Sequence, residues 1–176
     1  MSDPRYPIGP FAFSEGELSE TNIASWIEDI ASLPANLKLA IDGLSDEQLD
    51  TPYRDGGWTV RQLTHHVADS HINSYVRFKL AATEDNPLIA TYEEQLWAEL
   101  SDGKWMPIGV SLGLLRALHE RWVVFLKSLP VTAWTERSFR HPVHGAVPLG
   151  KALAMYSWHG RHHTAHVTSL RHLKGW

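Results

Sequence analysis

Between Trp158 and His166 the chain places His159, His162, His163 and His166, and His65 and His66 form a second cluster much earlier. Each imidazole must hydrogen-bond, titrate or bind something. Neutral imidazoles from two separate stretches are also the donors that divalent transition metals favour. The chain has no cysteine. Disulfides, a thiolate nucleophile and sulfur-ligated metal are therefore excluded, and any thiol chemistry needs a thiol from outside.

His159 and His163 are four residues apart. On a helix this sets their rings side by side, which lets one helix give two ligands to one ion. His162 and His166 form a second such pair, rotated by about a sixth of a turn, and are expected to be more exposed or to support the first pair from outside. His66 follows Leu63 by three residues and borders a buried stripe. His65 lies about 100° further round and is expected to face outward. The consistent ligand set is His66, His159 and His163. Three imidazoles leave a fourth coordination position open, as in catalytic zinc sites. The plain alternative is that each is a core histidine with one satisfied hydrogen bond. The paired spacing and the third histidine favour metal, whereas His71, His119, His141, His144 and His172 take the plain reading.

Asp69 lies one helical turn after His66. It either orients a ligand and accepts a proton, or forms a surface ion pair with Arg61 or Arg77. Asn73 and Arg77 continue that face in steps of four and could position a polar or anionic substrate. Tyr156, close to His159 on its helix, either donates a proton or packs.

The elements that hold these residues are helical. Residues 1–20 carry Pro4, Pro7 and Pro10 and are expected to form an extended arm. Apolar residues from Ile23 to Leu44 recur at helical spacing, with Pro34 expected to kink that helix or begin a second one. Capping boxes at Ser45–Gln48 and Thr59–Gln62 open a short helix and a second long one. A shorter piece holds Leu96 and Trp97, followed by a loop over 103–109. The third long helix is read from Leu115, Leu118, Trp122, Phe125 and Leu129. Residues 136–148 suit a loop or short hairpin. The last helix carries Leu149, Leu153, Tyr156, Gly160, His163, Val167 and Leu170 in four-three alternation. Four principal helices with little strand signal predict one all-α domain over 1–176, a four-helix bundle with a crossover connection.

A formal charge of −4 without a dense basic run gives no reason to expect nucleic acid. No apolar run approaches a membrane span, and the N-terminus lacks a signal-peptide core. A cytoplasmic protein is expected.

The segments Thr51–Gln62 and His65–His71 resemble the most distinctive block of the YfiT branch of the DinB-like family. Tyr6–Gly9, Asn73–Lys79 and Trp158–His166 are similar as well. The resemblance implies a DinB-type bundle with three histidine ligands, carried over onto His66, His159 and His163. It also implies a zinc-dependent hydrolase, with nickel another metal that imidazoles suit, acting as a cytoplasmic homodimer on a small molecule. Relatives in the family include transferases that join a low-molecular-weight thiol such as bacillithiol to electrophiles. A metal-binding bundle without catalysis is the third reading.

Overall fold

The computed structural model describes residues 3–176, so the first two residues of the expected arm lie outside the described residues. The arm is extended apart from turns and a 3-10 turn at Glu15–Glu17, and it is anchored where Trp158 Nε1 donates to Gly9 O at 3.1 Å. Four long helices follow: α1 (Glu20–Ile41), α3 (Val60–Thr83), α6 (Ile108–Ser128) and α8 (Leu149–Lys174). Between them lie the short helices α2 (Asp46–Leu49), α4 (Glu94–Ala98), α5 (Ser101–Trp105) and α7 (Ala133–Glu136). The hairpin strands β1 (Ser138–His141) and β2 (Gly145–Pro148) pair antiparallel, with Ser138 opposite Pro148.

Both predicted capping boxes close reciprocally. Thr59 accepts from Gln62 N while Gln62 Oε1 accepts from Thr59 N, and Ser45 and Gln48 do the same. Each box satisfies two backbone donors that a helix start leaves free. The expected loop over 103–109 is instead α5 and the first turn of α6.

Each long helix packs on two others, in ring order α1, α8, α3, α6. Contacts of His65 with Ser111 and of His71 with His119 run in the same chain direction, so α3 and α6 are parallel neighbours. Parallel neighbours cannot be joined by a tight turn. Residues 84–107 must therefore travel the length of the bundle, as the expected crossover does. No helix among the described residues is long and apolar enough to cross a membrane.

The core falls into two apolar halves. One is built around Ile30, Phe78, Trp122 and Leu153, the other around Leu37, Leu63, Leu115 and Val167. Between them on α3, α6 and α8 lie Ser70, His71, Ser74, His119, Ser157 and His159. A polar layer thus cuts the bundle at mid-height. The buried stripe of α6 is Leu115, His119, Trp122 and Leu126 rather than the expected series through Leu118 and Phe125.

Gly160 lets α8 approach α1 closely, since a Cβ there would lie 2.8 Å from Leu33 Cδ2. Overpacking a core costs about 1–3 kcal/mol, partly offset by about 1 kcal/mol of better helix propensity. Gly160→Ala is expected to lower the melting temperature by a few degrees. Gly113→Ala, where nothing lies within 4 Å, is expected to raise it in the same scan.

Candidate metal centre

His66 on α3 and His159 and His163 on α8 each offer one nitrogen, and the three atoms all lie within 4.8 Å of one another. Ring centroids are 5.5 Å apart for His66 and His159, 5.0 Å for His66 and His163, and 4.4 Å for His159 and His163. His66 and His163 are buried and His159 is half-buried. The sequence-derived triad is therefore brought together in space.

Burial pushes the pKa of His66 down to about 4, and burial followed by neighbouring imidazoles holds His159 and His163 well below the usual histidine range. Near neutral pH the rings are neutral and their lone pairs are available. His163 Nδ1 is buried without a hydrogen-bond partner, and His66 makes no side-chain hydrogen bond among the described residues. Buried nitrogens left without partners are costly in a protein interior. Three imidazole nitrogens converging from two helices, one ring with an orphaned Nδ1, fit a divalent cation.

Aromatic residues wall the site. Trp58 lies against His66 with centroids 4.4 Å apart, and its Nε1 donates to Gln95 Oε1 at 3.0 Å. Trp158 stacks on His162 at 4.3 Å, and Tyr53 sits 4.2 Å from His166.

The expectation that His65 faces outward is corrected, and of the two readings of His162 and His166 the exposed one is overturned. His65 does not face outward: α5 and α6 cover it, and its Nδ1 and Nε2 meet Ser111 Oγ at 2.7 Å and Met106 O at 2.9 Å. His162 and His166 are likewise buried, under the arm and the loop before α3, with their Nε2 atoms 3.1 Å apart. His71 and His119 are buried and hydrogen-bonded, as the plain reading expects, and their partners include each other and His159. His71 Nε2 lies 3.2 Å from His159 Nδ1, and His71 Nδ1 lies 3.0 Å from His119 Nε2. Their signal in the sequence was a polar residue on an apolar stripe, since His119 stands four after Leu115 and three before Trp122.

Asp69 is half-buried and forms no ion pair among the described residues. Arg61 pairs instead with Asp50 at 2.6 Å and Asp46 at 2.8 Å. Burial, then the charge of Asp102, raises the Asp69 pKa to about 6. A carboxyl with a raised folded pKa keeps its proton while the unfolded chain ionises. It therefore weakens the fold as pH rises from about 4 to 6, and fully so above that. Asp69→Asn is expected to stabilise the metal-free protein by roughly 1–2 kcal/mol at pH 8, discounted for partial exposure, and by nothing at pH 3. Denaturant unfolding at both pH values measures this. Asn73 donates its amide to Asp69 O at 2.9 Å, and Arg77 donates to Ala90 O at 3.0 Å. Arg77 stands about 16 Å along α3 from His66 by helical rise, so it cannot touch a metal held by the triad. Tyr156 sits 5.5 Å from His159 by ring centroid, with its hydroxyl donating to Ser70 O at 3.3 Å.

A model of the DinB superfamily matches residues 29–167. The chain is 55% identical to a protein of Bacillus mycoides (strain KBAB4) and 54% identical to one of Bacillus cereus (strain 03BB102). Both alignments cover 100% of each chain, and both relatives carry names that propose a metal-dependent hydrolase. The solved structure of YfiT from Bacillus subtilis superposes with a TM-score of 0.95 at 46% identity over 98% of each chain. The same activity is proposed for it, and its four-helix bundle topology is described as unusual.

Proposed function

The chain belongs to the DinB superfamily, and from that membership we propose a metal-dependent hydrolase of small molecules in which His66, His159 and His163 hold one divalent cation. The observation that carries this reading is the convergence of their three nitrogens within 4.8 Å. An all-nitrogen donor set suits zinc and also nickel. A cation held there would supply Lewis acidity, lowering the pKa of water toward about 7 and polarising a substrate oxygen.

The protein's own groups do the rest. The Asp69 carboxylate, one turn from His66, takes the proton of the attacking nucleophile. Its pKa of about 6 keeps it mostly ionised at neutral pH yet basic enough to accept. Asn73 and Arg77 continue the same face and hold the polar end of the substrate away from the reacting bond. A cavity of about 420 Å³ lined by Phe11, Arg77, His141, Lys151 and Tyr156 gives that end a place. Trp58 and Trp158 limit water at the metal end.

The test mixes zinc-loaded protein with activated esters and amides, with and without a low-molecular-weight thiol such as bacillithiol. Hydrolysis without thiol is expected, and Asp69→Asn is expected to lower kcat by about 10²–10⁴-fold. Consumption of an electrophile only when thiol is present would replace the hydrolase with a thiol transferase. No turnover after verified loading would leave a binding protein.

A further inference from the structure

We propose that Pro34, the carbonyl of Ile30, His119 and His71 form a relay that dictates which nitrogen of His159 faces the metal, making His71 and His119 positioning residues for the centre. The proposal rests on the reading of His159 as a ligand, and its spectroscopic test does not.

The chain of causes begins in α1. Pro34 lies inside this helix, which runs unbroken from Glu20 to Ile41, so no second helix starts there. Proline has no N–H, so the carbonyl of Ile30, four residues earlier, loses its helical donor. A buried carbonyl without a donor is costly, and here the donor comes from another helix: His119 Nδ1 lies 2.5 Å from Ile30 O. A carbonyl oxygen only accepts, so His119 carries its proton on Nδ1.

Every later assignment follows from that one. A neutral His119 has its lone pair on Nε2, so the nitrogen facing it, His71 Nδ1 at 3.0 Å, must be the donor. His71 then presents the lone pair of Nε2, and His159 Nδ1 at 3.2 Å must donate to it. His159 is left with its lone pair on Nε2. His71 and His119 are buried and His159 is half-buried, surroundings that favour the neutral imidazole. The sequence separations are large, 89 residues from Ile30 to His119 and 88 from His71 to His159. No local pattern creates the relay.

Its purpose is physical. A ligand histidine whose outer N–H is held by an acceptor keeps its ring orientation and tautomer, and its inner nitrogen becomes more basic. Among the three candidate ligands only His159 has such a partner, because His66 makes no side-chain hydrogen bond and His163 Nδ1 is orphaned. His71 and His119, between the two halves of the apolar core, are buried, which limits competition from water for the bond they share.

The experiment uses the full chain, metal-free and 15N-labelled at histidine. Long-range 1H–15N spectra, assigned with single-histidine variants, read the tautomer of each ring directly. The protonated nitrogen is expected to be Nδ1 in His119, His71 and His159 alike. An Nε2–H tautomer at any of the three overturns the relay, whether or not the protein binds metal. In folded His119→Phe, the His71 and His159 tautomers are expected to mix, and zinc affinity measured by chelator competition should fall about 10-fold or more. His71→Leu should give a loss in the 10–100-fold range typical of such partners. His71→Gln, with an amide that both donates and accepts, should recover most of it. Equal affinity in wild type, His71→Leu and His71→Gln would show that the relay only fills space. If either variant fails to fold, the wild-type spectra alone decide.

Discussion

His159→Ala and His163→Ala are expected to abolish tight metal binding, whereas His162→Ala is expected to leave most of it. The three positions lie on one helix within five residues, so a general loss of helix or charge would affect them alike. They differ in what their nitrogens meet. His159 and His163 converge with His66, while His162 points its Nε2 at His166, 3.1 Å away, and stacks on Trp158. Structural zinc sites with four ligands bind with roughly 10–16 kcal/mol, so losing one ligand removes about 3 kcal/mol, a factor of a hundred or more. His66→Ala should match the first two, because His66 is the one member of the candidate triad on α3. Competition against a chromophoric chelator reads the affinities, and elemental analysis reads the stoichiometry. Equal losses at 159, 162 and 163 would move the metal toward the His162–His166 pair, the other pair with four-residue spacing on the same helix.

Periodicity made some of this legible and hid the rest. The stripe of α8 was readable because one face of a long helix meets a continuous core: Leu149, Leu153, Gly160, His163, Val167 and Leu170 are all buried. The capping boxes were readable because their partners are three residues apart. What failed depended on irregular segments and distant partners. His65 meets Ser111 of α6 through Nδ1 and the Met106 carbonyl through Nε2. It is buried because the crossover folds α5 over its face of α3, and a helical wheel contains no information about loops. His162 and His166 are covered for the same reason, by the arm and by Tyr53 and Arg54. Proline rules count only the donor lost within the helix, and so predict a kink or a second start at Pro34. The donor that replaces it comes from α6, far away in sequence, and so the helix continues.

The metal-free protein is expected to unfold cooperatively between about pH 6.5 and 4. Burial lowers the pKa of His65, His66, His71, His119, His159, His162, His163 and His166, to about 4 for His66, His119, His162 and His166. In the unfolded chain the same groups titrate near 6.5. Below that value the unfolded chain takes up protons that the folded chain refuses. Stability present at neutral pH is therefore lost as pH falls toward the folded values. If about five protons separate the two states, the slope is roughly 7 kcal/mol per pH unit. That is comparable with the whole stability of a typical domain, about 5–15 kcal/mol. Asp69 and Glu94, whose pKa values burial raises, work in the opposite direction, but they are two groups against eight imidazoles. Zinc should delay the transition to lower pH, because a cation bound to the folded state adds stability that protons must compete away. Circular dichroism against pH, with and without zinc, follows the transition, and its steepness gives the number of protons. A metal-free chain that stays folded and flat down to pH 4 would mean the imidazoles are reached by water, and a centre of buried neutral nitrogens could not be maintained.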